Sequence, residues 1–246
     1  MATFTTTATV TDPRISRGDD GILPPIPVSG HGRPEAPDYG TRLRRARLGL
    51  LVALTPVLML FVSFTSAYVV RQGLPSLDPR TATLVRDWIP VTLPKLLLIN
   101  TFVLVLSSVF MELARRQIKG QALTALATGE IHPSASSSDG MSMPWLSITV
   151  VLGLLFLFGQ WTAWKQLAAN GFYVSTTPSS SFIYLLTGTH AVHLMGGVLA
   201  LFVASIASLW GRSLSRRSIV VDVTAWYWHF MAALWIYILC LMEFAG

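Results

Sequence analysis

Residues 180–210 read SSFIYLLTGTHAVHLMGGVLALFVASIASLW, a run without one Lys, Arg, Asp or Glu. A hydrocarbon core about 30 Å thick is crossed by roughly 20 mainly apolar residues in a helix, and this run exceeds that length. It is read as a membrane-spanning helix that tilts or extends beyond the bilayer at its polar end. Working outward, four more windows have the same character, at about 47–70, 92–114, 144–168 and 219–244. The composition agrees: 246 residues are 52% hydrophobic and only 12% charged, with a mean hydropathy of +0.56. A backbone in lipid must satisfy its own hydrogen bonds, and none of these windows alternates like a barrel strand. The fold class expected is all-α, a polytopic bundle of five transmembrane helices over residues 41–246.

Residues 1–40 differ, being rich in Thr, Pro, Gly and Asp without apolar periodicity, and are expected to form a flexible cytoplasmic arm without the order of a signal peptide. HPSASSSDGMSMP, residues 132–144, reads as a polar linker. Pro94 and Pro144 are expected in first helical turns, whereas Pro56 lies inside its span and predicts a kink near Thr55. The single cysteine, Cys240, excludes an intrachain disulfide.

Basic residues flanking the spans set the orientation. Arg42, Arg44, Arg45, Arg47, Arg115, Arg116, Lys119, Arg212, Arg216 and Arg217 fall on one side, against Arg71, Arg80, Arg86, Lys95 and Lys165 on the other. This asymmetry predicts a cytoplasmic N-terminus and an outside C-terminus in a bacterial inner membrane. The net charge of +6 is thereby explained by topology, with no nucleic-acid partner.

Polar groups at bilayer depth are costly, so they mark function or helix contact. They are Asn100, Thr101, Gln160, Thr187, Thr189, His190, His193, Tyr227 and His229, with Glu112, Asp222 and Glu243 near span ends within reach of water or headgroups. His190 and His193 share a helix face at i, i+3, and His229 could supply a third metal ligand. The other histidines, His31 and His132, lie in the tail and the linker. A multi-histidine di-iron centre therefore cannot be assembled, and two neighbours on one face do not bracket a haem. The reading favoured is neutral imidazoles bonded to neighbouring helices, buried water or lipid, with Gly188, Gly196 and Gly197 allowing close backbone approach. WYWHF, residues 226–230, is weighed as an interfacial aromatic belt. Gln160, Trp164 and Lys165 lack an acidic partner that a cation route needs, and Ser107 and Ser108 receive no role.

TGTHAVHLMGG (187–197), LPKLLLINTFVLVLSS (93–108), GLLFLFGQW (153–161) followed by Gly171, and WYWHFMAALWIYIL (226–239) form a set of four segments. Together they resemble subunit III of the haem–copper oxidases. The resemblance covers about residues 45–244 and matches the shorter, five-helix form, with the same orientation that the charges give. Asn100, Thr101, Gln160, Thr187, Gly188, His190, His193, Gly197, Trp228 and His229 are the positions that carry the family motifs, and they are expected to serve helix packing. The resemblance implies a non-catalytic chain without cofactors of its own, beside oxidase subunits I and II, with haem and copper on the catalytic partner. It also implies bound phospholipid, with Arg45 and Arg116 as headgroup contacts suggested by charge, and membership of a respiratory supercomplex is an open option. Three carboxylates common in the family are replaced by Val57, Ala163 and Ala232. Roles that depend on those acids do not carry over, whereas packing and lipid binding do. Two alternatives stay open: the related accessory membrane protein of a nitric oxide reductase, and a small-molecule membrane carrier.

Overall fold

A computed structural model describes residues 39–77, 83–85, 88, 94–128, 139–209 and 214–244. Five helices account for nearly all of these: α1 (Tyr39–Gly73), α2 (Leu96–Thr128), α3 (Asp139–Ala169), α4 (Pro178–Leu209) and α5 (Leu214–Phe244). All five are long and apolar enough to cross a membrane, and the chain is a multi-pass membrane protein. Between α1 and α2, β1 (Ser76–Leu77) and β2 (Leu84–Val85) make a minimal antiparallel pair.

Several boundaries differ from the sequence expectation. Helix α1 starts at Tyr39, inside the segment read as an arm; the rest of that arm lies outside the described residues. Helix α2 runs to Thr128 instead of stopping near 114, because its charged second half is built from strong helix formers and continues beyond the apolar stretch. Helix α3 starts at Asp139, so the end of the expected linker is helical and Pro144 sits past the first turn; residues 129–138 are not described. Pro94 precedes α2, and its carbonyl accepts the Leu97 N–H at 2.9 Å. Helix α1 passes through Pro56 without a break. Of the residues used for orientation, Arg80, Arg86 and Arg212 lie outside the described set.

Helices α2 to α5 form a closed ring in which α2 packs on α3 and α5, α3 on α4, and α4 on α5; α1 lies outside it, against α4 and α5 only. Lipid-facing helices are apolar on all sides, so hydrophobicity does not tell core from surface. Phe102, Phe158 and Leu199 point outward while Leu104, Phe156 and Leu201 fill the ring. Helix α1 buries only Leu54, Phe61 and Tyr68. These are seven residues apart, a spacing that keeps one narrow seam on its neighbours. Phe61 meets the His193 ring edge-on at 5.9 Å, and Tyr68 meets Phe182 at 5.9 Å.

The α3–α4 turn is fixed by its own chemistry. Gly171 takes φ +86°, with Phe172 N–H on Leu167 O at 3.1 Å and Gly171 N–H on Ala168 O at 3.0 Å. This is a Schellman end, in which the left-handed position favours glycine. Thr177 then caps α4: its hydroxyl accepts the Ser180 N–H at 3.2 Å while Ser180 Oγ accepts the Thr177 N–H at 3.2 Å, a reciprocal box ahead of Pro178 at the first helical position. The Tyr184 hydroxyl closes the turn by donating to Phe172 O at 3.0 Å.

Candidate functional site

Two polar layers cross the bundle. The first lies at the end shared by the N-termini of α1 and α5 and the basic part of α2. Arg47 on α1 makes a two-pronged contact with Asp222 on α5 at 2.8 and 2.9 Å, and Arg115 on α2 reaches the same carboxylate at 3.2 Å. Arg115 also grips Glu112 at 2.7 and 2.9 Å, and Arg116 adds a 2.8 Å bond to Glu112. Tyr39 and Ser218 join at 2.8 Å beside this network. Asp222 is buried, 3% exposed, so it is not the water-facing end residue expected from the sequence. It is the tie between three helices.

His229 belongs to the same layer. Its Nε2 lies 3.4 Å from Glu112 Oε2 and its Nδ1 2.5 Å from Ser108 Oγ. A carboxylate accepts, so Nε2–H donates and Nδ1 receives the serine proton. The Ser107–Ser108 pair, given no role from sequence, thus faces the Trp228–His229 pair across the α2–α5 interface. The signal available was two adjacent hydroxyls at a depth where polar groups are rare.

The second layer is neutral and lies toward the end of the bundle where α2 begins and α3 ends. Trp235 Nε1 donates to Thr101 Oγ1 at 2.9 Å, Trp164 Nε1 to Thr187 Oγ1 at 3.1 Å, and, nearer the first layer, Trp228 Nε1 to Ser107 Oγ at 3.2 Å. Each hydroxyl passes its own proton to a backbone carbonyl: Leu97 at 2.7 Å, Ile183 at 2.6 Å and Thr149 at 3.3 Å. Indole N–H, hydroxyl and carbonyl form the same three-part tie each time, between α5 and α2 twice and α3 and α4 once. Asn100 Nδ2 adds a bond to Phe156 O at 3.1 Å. These ties satisfy groups for which lipid offers no partner.

The aromatic run 226–228 is accordingly divided. Trp226 is half exposed, Trp228 is fully buried, and the Tyr227 hydroxyl donates to His193 O at 2.7 Å. Only Trp226 has the exposure of a belt residue. Gln160 and Lys165 part company too: Gln160 is buried, while Lys165 Nζ sits 5.7 Å from the Trp161 ring on the outer surface.

His190 and His193 meet different neighbours, Phe61 of α1 for His193 and Phe156 of α3 with Trp235 of α5 for His190. His193 Nδ1 lies 2.8 Å from Thr189 O, an acceptor only, so Nδ1 carries the proton. His190 is fully buried between Phe156, at 6.1 Å, and Trp235, at 5.1 Å. Among the described residues, no group of three or more His, Cys, Asp or Glu is placed to hold a metal ion. Val57, Ala163 and Ala232, where the resemblance would put acids, all join the apolar packing.

The glycines differ in what they permit. A Cβ on Gly153 would come within 2.7 Å of the Trp228 ring, and one on Gly197 within 2.9 Å of the Tyr227 ring. At Gly159 it would collide with Asn100 Oδ1. At Gly188 it would meet nothing within 4 Å, and at Gly196 only the Tyr227 hydroxyl at 4.0 Å. The close approach expected of all three glycines near the histidines is therefore used within this chain at Gly197. Overpacking costs about 1–3 kcal/mol, whereas Gly to Ala in an open helix position gains about 0.5–1 kcal/mol. Gly153→Ala is expected to lower stability in detergent, followed by SDS titration, while Gly188→Ala leaves it equal or slightly higher. Equal losses from both would contradict these packing assignments.

Between α1 and α5 runs a groove of about 420 Å³, lined by Arg47, Leu50, Leu51, Leu54, Trp226, His229 and Phe230. Its walls are apolar, because the polar atoms of Arg47 and His229 are turned to Asp222, Ser108 and Glu112. Of the arginines singled out from the sequence, Arg45 is exposed and Arg116, bound to Glu112, has a side chain 75% exposed. Arg47, read only as an orientation signal, is the arginine that lines the groove.

Fold and polar layers together define a helical membrane bundle whose intramembrane polar groups tie helix to helix. A family model for cytochrome c oxidase subunit III matches residues 41–246, and the chain belongs to that family. It is 30% identical over 92 residues to cytochrome c oxidase subunit 3 of Corynebacterium diphtheriae, covering 37% of this chain and 45% of that protein. It is 28% identical over 100 residues to the probable cytochrome c oxidase subunit 3 of Mycobacterium tuberculosis, covering 41% and 49%. These matches span about half the length of the two relatives. Cytochrome c oxidase subunit 3 of Thermostichus vulcanus aligns over 200 residues at 26% identity, 79% of this chain and 85% of that protein.

Proposed function

We propose that this chain is a non-catalytic subunit III of a bacterial terminal oxidase, stabilising the catalytic subunit and holding lipid. The observation that carries the reading is the use of the deep polar groups. Asn100, Thr101, Ser107, Trp164, Thr187, Trp228 and Trp235 bond between helices, as expected of a scaffold. In the assembly proposed, oxidase subunits I and II lie alongside, haem and copper reside on the catalytic partner, and oxygen reduction is coupled to proton pumping there. This chain carries no redox centre. Its N-terminus is cytoplasmic, and the ionic layer of Arg47, Glu112, Arg115 and Asp222 marks the cytoplasmic end.

A phospholipid suits the groove between α1 and α5. Its acyl chain would lie on Leu50, Leu54 and Phe230, with the exposed guanidiniums of Arg45 and Arg116 available to headgroup phosphate at the same end. Replacing His193 by Gln in the assembly is expected to leave the haem absorption spectrum unchanged and to increase loss of this subunit during detergent purification. An altered haem spectrum with the subunit fully retained would argue against a scaffold role.

A further inference from the structure

Helices α3 and α4 are antiparallel neighbours, and two contacts fix their register. Phe156 meets His190 at 6.1 Å, and Trp164 bonds Thr187 at 3.1 Å. Gln160 lies one turn from each of Phe156 and Trp164, so it faces the turn of α4 between Thr187 and His190. His190 and Gln160 are 0% and 2% exposed. Both ring nitrogens of His190 and Oε1 of Gln160 are buried and find no hydrogen-bond partner among the described residues. Such groups are rarely left unpaired in a native interior. A neutral imidazole offers one N–H and one bare nitrogen, and an amide oxygen only accepts. The donor and the acceptor match, yet no direct hydrogen bond joins them.

We infer that the layer between α3 and α4 binds an internal water molecule, which accepts the His190 ring N–H and donates to Gln160 Oε1. Elsewhere in the bundle an indole N–H reaches a carbonyl through a Ser or Thr hydroxyl. Here an imidazole N–H reaches the Gln160 carbonyl through water in the place of that hydroxyl. Buried waters characteristically make about 2–4 bonds to otherwise unsatisfied groups. His190 is thus bound to solvent inside the protein, and its role is to fix the α3–α4 register through that molecule.

The test is a cryo-EM map of the chain in the membrane assembly with which it purifies, at a resolution that shows ordered waters elsewhere. A peak is expected about 2.7–3.2 Å from one His190 ring nitrogen and from Gln160 Oε1. It should vanish in His190→Phe and in Gln160→Leu. If a variant does not assemble, water-edited solid-state NMR of the unmodified protein reads the same contact as magnetisation transfer from water to the His190 ring. Absence of the peak and of the transfer, a direct His190–Gln160 bond, or density about 2.0–2.1 Å from the nitrogen, as a metal would give, overturns the inference. None of these outcomes depends on the identity of the partner subunits.

Discussion

Asp222→Asn is expected to produce a large loss of stability, with α1 released from the ring of α2 to α5. The carboxylate is 5% exposed at its side chain and holds Arg47 and Arg115 together. An amide in its place leaves two guanidiniums facing each other without the charge between them. Removing one partner of a buried pair costs about 3–5 kcal/mol. Arg47 has a side chain 38% exposed, so water recovers part of its loss and about 3 kcal/mol is the figure expected. SDS-titrated unfolding followed by circular dichroism measures it, and proteolysis in α1 reports which helix is freed. Arg116→Gln provides the contrast: its partner Glu112 keeps both contacts to Arg115, and an exposed pair contributes about 0–1 kcal/mol. Similar losses from the two substitutions would show that the layer does not bind the helices as described.

Trp228→Ala is the second large effect. The indole is fully buried in the ring of α2–α5, with Gly153 shaped around its ring edge and Ser107 accepting its N–H. Truncation opens a cavity that costs about 3–5 kcal/mol and removes the partner of a buried hydroxyl. Trp228→Phe retains most of the volume and loses the N–H, so it isolates the bond, about 0.5–1.5 kcal/mol. A gap of at least about 1.5 kcal/mol between the two variants is expected by the same titration. If Phe is as damaging as Ala, the hydrogen bond dominates and the packing argument fails.

Much of this was legible in the amino-acid order. Continuous apolar runs placed all five helices, since lipid leaves a backbone few choices. Polar residues at depth picked out Asn100, Thr101, Gln160, Thr187 and His190, all of which face the interior or another helix. What escaped lay between distant segments. Arg47 and Asp222 are 175 residues apart in sequence, and a charge near a span end reads alike whether it meets water or a partner. Ser107 and Ser108 resemble ordinary helix serines until Trp228 and His229 are set opposite them. The α1 seam of Leu54, Phe61 and Tyr68, with Arg47 one heptad earlier, was written in the spacing. It was masked because Leu51, Val52, Leu58 and Met59 on the lipid face are as apolar as the seam itself.

The proposed scaffold chain carries no redox centre and stands beside one that does. The most direct test is an inventory of the gently solubilised assembly, combining native mass spectrometry with haem and metal analysis before and after this chain is dissociated. Co-purification with a large subunit bearing haem and copper is expected, and so is a released chain with no visible absorption band and no stoichiometric transition metal. A chromophore or metal leaving with this chain, or a partner containing non-haem iron in place of copper, would contradict the proposal.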